Sequence, residues 1–258
     1  MAIRGNRPAI LTVLAAALLA LAGCSAAPAA TAPEQRPALG LMTSLPIYWQ
    51  EDASLADIAA GRAAPPWQRR AIETRFTLVP LDTLTPVPAL SPDAPEVDPL
   101  AGLTRLAVIQ PRGLAPADNV ALDNWVRGGG RLLLVLDPAL TGHYAAPLGD
   151  PRRPVDAALI PPVVERWGLA VAFDAAQADT VKAAPLGEGT LPLALAGRIT
   201  ITDPAAARCT LLAGDAAARC SVGKGTVMLL ADATLFEHPE LAGEEGEALL
   251  ALLAEAFD

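Results

Sequence analysis

Histidine and cysteine are scarce, with two His and three Cys in 258 residues and no Cys-x-x-Cys pair. A zinc site needs three or four such ligands, so the chain cannot build one from these residues, and no metal or other cofactor is expected. Clustered positive charge is missing as well. The net charge is −9 and no Lys/Arg run exceeds two residues, which excludes nucleic acid as a partner and argues against a grip on anionic lipid. A phosphate cradle is also absent. Gly128-Gly129-Gly130 follows a helical pattern and precedes an apolar run, the reverse of the strand, glycine loop, helix order that aims a helix N-terminus at phosphate. Val222-Gly223-Lys224-Gly225-Thr226 has glycine where a P-loop places its magnesium-holding hydroxyl, so it reads as a tight turn. What the chain does have is apolar mass. At 52% hydrophobic and 18% charged, it reads as a well-buried globule.

The first residues have the order of an export signal. Arg4 and Arg7 precede the uncharged run Ala9 to Ala22, which is too short for a comfortable membrane span, and Leu21-Ala22-Gly23-Cys24 closes it. This box resembles the bacterial lipobox, which implies cleavage before a lipidated Cys24; the other reading is an ordinary signal cut near Ala26 or Ala30. The expected organisation is a signal over 1–23, a flexible small-residue tether over 24–37 and one domain over 38–258. Removing 1–23 takes two arginines and no acid from an already acidic chain. In the Gram-negative lipoprotein pattern that the box resembles, Ser25 after the cysteine implies the outer rather than the inner membrane, and a periplasm-facing lipoprotein is expected. With Cys24 assigned to lipid, Cys209 and Cys220 form an even pair in an oxidising compartment. They flank Gly214-Asp215, and a strand, turn, strand reading would bring them side by side for a disulfide, against the alternative of two small buried thiols.

The domain reads as α/β. Strands are expected at 38–45, 76–81, 106–110, 131–136, 169–173 and 225–231, with shorter antiparallel pieces at 191–202, 209–212 and 220–222. Helices are expected at 54–60, 67–75, 116–127 and 244–257, and a helix broken at Pro161-Pro162 over 155–167. Continuous apolar strands on either side of a helix (LAVIQ, then RLLLVL) imply a mostly parallel sheet covered on both faces. The Pro-rich stretch 82–103 and the segment 138–153 read as long loops.

The run DNWVRGGGRLLLVLDP, followed by GKGTVMLLADATLFE, resembles the periplasmic domains of uncharacterised ABC-type transport auxiliary proteins, relatives of the gliding-motility auxiliary component. The resemblance implies a flavodoxin-like, glutamine-amidotransferase-like fold with a small β-rich insertion and a membrane-protein partner such as an ABC-type permease. In an open parallel sheet ligands sit outside the carboxyl ends of the strands. Thr43, Ser44, Gln110, Asp137, Asp232 and Thr234 fall there, with His143 on the following loop, although turn and cap roles suit the same residues. Tyr48 and Trp49 leave the first strand, either packed on the sheet or facing a partner.

His238-Pro239-Glu240 resembles the second half of an amidotransferase triad. The nucleophilic elbow would fall at Leu136-Asp137-Pro138, where there is no cysteine and Pro138 has no N–H to offer. The expectation is therefore a lipid-anchored, non-catalytic binding or scaffold subunit with the His-Pro-Glu as a turn at a helix start. The alternative is a periplasmic hydrolase or transferase using the Asp137, His143, Asp232 and His238 neighbourhood.

Overall fold

The computed structural model describes residues 36–258 apart from 90 and 92, and these residues form one compact unit. The expected lipidation site Cys24, the signal over 1–23 and most of the tether lie outside the described residues.

In chain order the elements are β1 (Ala38–Thr43), α1 (Leu55–Ala59), α2 (Trp67–Ile72), β2 (Thr77–Pro80), β3 (Arg105–Ile109), α3 (Pro116–Gly128), β4 (Arg131–Val135), α4 (Pro162–Arg166), β5 (Leu169–Ala172), β6 (Lys182–Leu186), β7 (Gly189–Leu193), β8 (Arg198–Ile201), β9 (Arg208–Leu212), β10 (Ala217–Val222), β11 (Gly225–Leu230), α5 (Thr234–Glu237), α6 (Pro239–Ala242) and α7 (Glu247–Phe257). The main sheet is open and seven-stranded in the order β2-β1-β3-β4-β11-β10-β9, parallel from β2 to β11 and antiparallel over its last two pairings. Two antiparallel pairs, β5 with β8 and β6 with β7, form the rest of the β-rich insertion.

The strands are apolar throughout because both faces of the sheet are covered. Successive side chains point to opposite faces. Leu41, Ile109, Leu133, Val135, Met228 and Leu230 face a core closed by Ile72 of α2 and by Leu249, Leu252 and Phe257 of α7. Leu106, Val108, Leu132, Leu134, Val227 and Leu229 face the other, closed by Leu122 and Val126 of α3 and by Val163, Val164 and Trp167 at α4. Each such side chain contributes roughly 1.5–3 kcal/mol by leaving water.

The β10–β11 hairpin turns at Gly223, which has φ +60°. Gly225 passes so close to α3 that a Cβ there would stand 2.1 Å from the Val126 carbonyl oxygen. The turn reading of this Gly-Lys-Gly stretch is thus a packing requirement. Cys209 and Cys220 are directly opposite in the β9–β10 register and are joined by a disulfide, Cα atoms 4.1 Å apart.

Two expectations are corrected. The segment 155–167 is not a kinked helix: only Pro162–Arg166 is helical, with Pro162 in its first turn, so the proline pair starts the helix. Residues 155–161 instead run without helix over the ends of the strands. The insertion also contains β6, which the sequence pattern did not show, because Lys182-Ala183-Ala184-Pro185 is largely exposed and has no alternating apolar side chains.

Candidate functional site

The residues at the carboxyl ends of the parallel strands are drawn together and closed over. Gln110, at the end of β3, has φ +44° and is fully buried. Its amide nitrogen donates to the Asp137 and Val155 carbonyls, each at 3.0 Å, and its side-chain oxygen accepts from the Asp137 N–H at 2.8 Å. The Ser44 hydroxyl donates to the Gln110 carbonyl at 2.6 Å and accepts from the Val155 N–H at 3.3 Å. The Ala158 N–H donates to the Asp137 carbonyl at 2.7 Å. Segment 155–158 therefore caps β1, β3 and β4 through a network in which each of these side chains ties two chain segments.

Asp137 and Asp232 follow β4 and β11 and are buried. Asp137 accepts from the Ala139 N–H at 2.7 Å and the Ala233 N–H at 2.6 Å, one on each oxygen. Asp232 accepts from the Ala194 N–H and the Thr234 N–H, both at 2.8 Å. Burial pushes the Asp137 carboxyl up to about 8, with the nearby Asp232 charge adding to it, and pushes Asp232 up to about 7. Both carboxyls shape the exits of their strands, and neither presents a free face to solvent.

A second polar set stands just beyond, where the loop after β4 meets α5. The Glu237 carboxylate accepts from the Thr141 N–H at 3.0 Å, the Gly142 N–H at 2.9 Å and the Tyr144 hydroxyl at 2.5 Å. Burial, then the adjacent Glu237 charge, raises the Tyr144 phenol far above its ordinary range, so it remains a donor. The Thr141 hydroxyl is within donating distance of Glu237 Oε2 at 3.3 Å and lies 3.0 Å from His238 Nε2, where the imidazole tautomer decides which atom donates. His238 Nδ1 lies 3.3 Å from Glu240 Oε1. A hydroxyl, an imidazole and a carboxylate are thus in line, the order that nucleophile, base and orienting group require. His238 is partly exposed, between α5 and α6, as the residue that caps α6.

The remaining sequence candidates are dispersed. His143 is exposed on the loop that carries Thr141. The Tyr48 hydroxyl donates to the Leu41 carbonyl at 3.0 Å, and Trp49 is 39% exposed beneath the Arg69 guanidinium. Thr141, Tyr144 and Glu237 were not legible as site residues. Thr141 lies in a stretch with no periodicity, three residues beyond the elbow where a nucleophile was sought.

No protein-family model matches the chain, and none of the curated proteins does. Among solved structures it is similar to an exo-β-1,4-mannosidase from Opitutaceae bacterium strain TAV5, at 15% identity over 87% of this chain and 36% of that one, TM-score 0.48. It is also similar to a cold-adapted β-galactosidase from Rahnella sp. R3, at 12% identity over 86% of this chain and 32% of that one, TM-score 0.46. A third is a GH42 β-galactosidase from G. stearothermophilus, at 12% identity over 86% and 30%, TM-score 0.45. The chain spans about a third of the length of these enzymes.

These findings correct the expectation drawn from the sequence motifs. The similar structures are titled as glycosidases and not as ABC-type transport auxiliary proteins. The transport-auxiliary resemblance and its amidotransferase-like label are withdrawn, and so is the reading of a non-catalytic scaffold subunit that is no enzyme. The resemblance rested on helix, glycine turn and buried strand, a combination that packing alone selects.

Proposed function

We propose that the domain is a hydrolase in which Thr141 is the nucleophile, His238 the general base and Glu240 the group that orients it. The observation that carries this reading is the contact chain from Thr141 Oγ1 through both nitrogens of His238 to Glu240, at 3.0 and 3.3 Å. With Nδ1–H donated to Glu240, Nε2 is the acceptor and takes the Thr141 proton as Oγ1 attacks a carbonyl carbon. Glu237 competes for that hydroxyl from the longer distance of 3.3 Å, and its main role is to hold the 141–144 loop in place. Collapse of the tetrahedral adduct passes the proton from the imidazolium to the leaving group, and water repeats the sequence on the acyl-enzyme. Ester or amide cleavage suits the site better than glycoside cleavage. Asp137 and Asp232 are buried with every oxygen already engaged by a backbone N–H, so they do not form an open carboxyl pair of the kind glycoside cleavage needs.

The fold and location belong to the same reading. Five parallel strands in the order β2-β1-β3-β4-β11 follow the flavodoxin-like arrangement 2-1-3-4-5. The lipobox at 21–24 and the Cys209–Cys220 bridge support an envelope lipoprotein anchored through Cys24. No helix of the described residues is long and apolar enough to cross a membrane.

Release of p-nitrophenol from p-nitrophenyl butyrate tests the activity. The wild type should exceed the buffer rate, and Thr141→Val and His238→Ala should each lose about a hundredfold or more. p-Nitrophenyl β-galactoside should not be cleaved. A wild-type rate equal to buffer on both ester and anilide substrates rejects the reading. Cys24→Ala should abolish membrane partition of the expressed chain without affecting this rate.

A further inference from the structure

The β-rich insertion contains a cavity of about 390 Å³, away from Thr141 and His238, walled by β6, by the 193–198 segment between β7 and β8, and by the turn at 213–216. Its charge is unlike that of the rest of the molecule. No Asp or Glu is among the described residues that line it, in a chain with 28 acidic residues, yet Lys182 and Arg198 both do. Lys182 is one of only two lysines in the sequence, the other being Lys224, and it makes no ion pair among the described residues. Arg198 is exposed and pairs with Asp215 at 3.1 Å from outside the lining, so part of its charge is already met. Gln177 and Thr180 add polar side chains to the lining, and Pro185, Leu193 and Leu195 form its apolar part.

The backbone around this cavity is strained on both sides. Leu195 has φ +55°, and Ala213, Gly214 and Asp215 follow one another at +51°, +64° and +71°. A left-handed conformation costs a residue with a Cβ roughly 1–2 kcal/mol, and such residues normally occur singly. Gly214 adopts this region freely, so the strain lies at Leu195, Ala213 and Asp215, and such residues persist where the surrounding structure imposes them, as at ligand clamps. Here the imposing contacts are visible. The Ala194 N–H is fixed on the Asp232 carboxylate at 2.8 Å, the Gly197 N–H on the Ala231 carbonyl at 2.7 Å, and the Ala231 N–H on the Ala216 carbonyl at 2.8 Å. Both segments are therefore tied, through the residues beside them, to the end of β11.

We propose that this cavity is a binding site for a small organic anion, a carboxylate on a short apolar chain. Lys182 and Arg198 would meet the charge, and Pro185, Leu193 and Leu195 the chain. The volume lies within the range that encloses a small molecule. A lysine with no ion pair among the described residues, beside the apolar stretch Pro185, Leu193 and Leu195, suits an amphiphilic monoanion, whereas a free phosphate would leave that stretch without a partner.

Isothermal titration of the folded, oxidised protein with hexanoate, hexanol and inorganic phosphate tests the site. Hexanoate should bind saturably with a Kd near or below about 1 mM. Hexanol, which lacks the charge, and phosphate, which lacks the tail, should each bind at least about tenfold more weakly. Lys182→Met should weaken hexanoate about tenfold with an unchanged melting temperature, because that side chain is exposed. The proposal fails if the wild type shows no saturable hexanoate binding, if phosphate or hexanol binds as well as hexanoate, or if Lys182→Met leaves the affinity unchanged.

Discussion

Two polar sets stand at the same end of the sheet and differ in what their side chains hold. Ser44, Gln110, Asp137 and Asp232 are buried, and their hydrogen bonds run to backbone groups of other segments. Thr141, Tyr144, Glu237 and His238 are a few residues further along the same strand exits, partly exposed, and make side-chain contacts with one another. The inner set shows how a strand-end crevice is converted into a structural joint: each polar atom is spent on closing a loop. The outer set shows what such a joint allows, since loops fixed from below can hold a hydroxyl beside an imidazole. A strand-end polar residue is therefore not a site residue by position alone. What separates the sets is that the inner side chains bond backbone groups alone, whereas in the outer set a hydroxyl, an imidazole and carboxylates also contact one another.

Breaking the inner set should cost stability. Asp137→Ala leaves the buried Ala233 and the half-buried Ala139 N–H groups unpaired, and urea unfolding should show a loss of about 3 kcal/mol, at roughly 1–3 kcal/mol per orphaned group. Gln110→Ala removes three hydrogen bonds of the cap over β3 and β4 and should cost about 2 kcal/mol by the same measurement.

The pH dependence sharpens the contrast. Burial raises both Asp137 and Asp232 above the ordinary carboxylate range, so the native state retains protons that the unfolded chain releases above about pH 4. The stability this contributes is present in full at low pH and is lost as pH rises toward 7 to 8, by up to about 1.4 kcal/mol per pH unit for each retained proton. Melting curves from pH 5 to 8 should fall more steeply for the wild type than for Asp232→Asn; parallel curves would mean that Asp232 is ionised in the folded state throughout.

The outer set should respond in the opposite way. Glu240→Gln should lower ester turnover about tenfold. It should change unfolding free energy by no more than about 0.5 kcal/mol, because it is a surface contact.

The sheet was legible because its signal is local. LAVIQ and RLLLVL are apolar on both faces with a helix between them, and that pattern has few solutions other than parallel strands covered on both sides. The burial of Gln110 and Asp137 was not legible, because it depends on segment 155–158 crossing the strand ends, and the sequence there reads as helix until Pro161-Pro162 is recognised as a start signal. His238 and Glu240 were visible as a pair, but their partner was sought at residue 137, where a cysteine elbow would be. The structure places the hydroxyl three residues past Pro138, on a loop whose position is set by Glu237 from about ninety residues away in sequence. No local pattern encodes that distance.

The central claim is that Thr141 is a nucleophile activated by His238. Labelling of the folded wild-type domain with a fluorophosphonate, followed by peptide mass spectrometry, tests it most directly. The label should form on the peptide containing Thr141, at a rate that falls with His238→Ala, and should be absent in Thr141→Val. No label on that peptide, or equal labelling of the wild type and His238→Ala, would contradict the account.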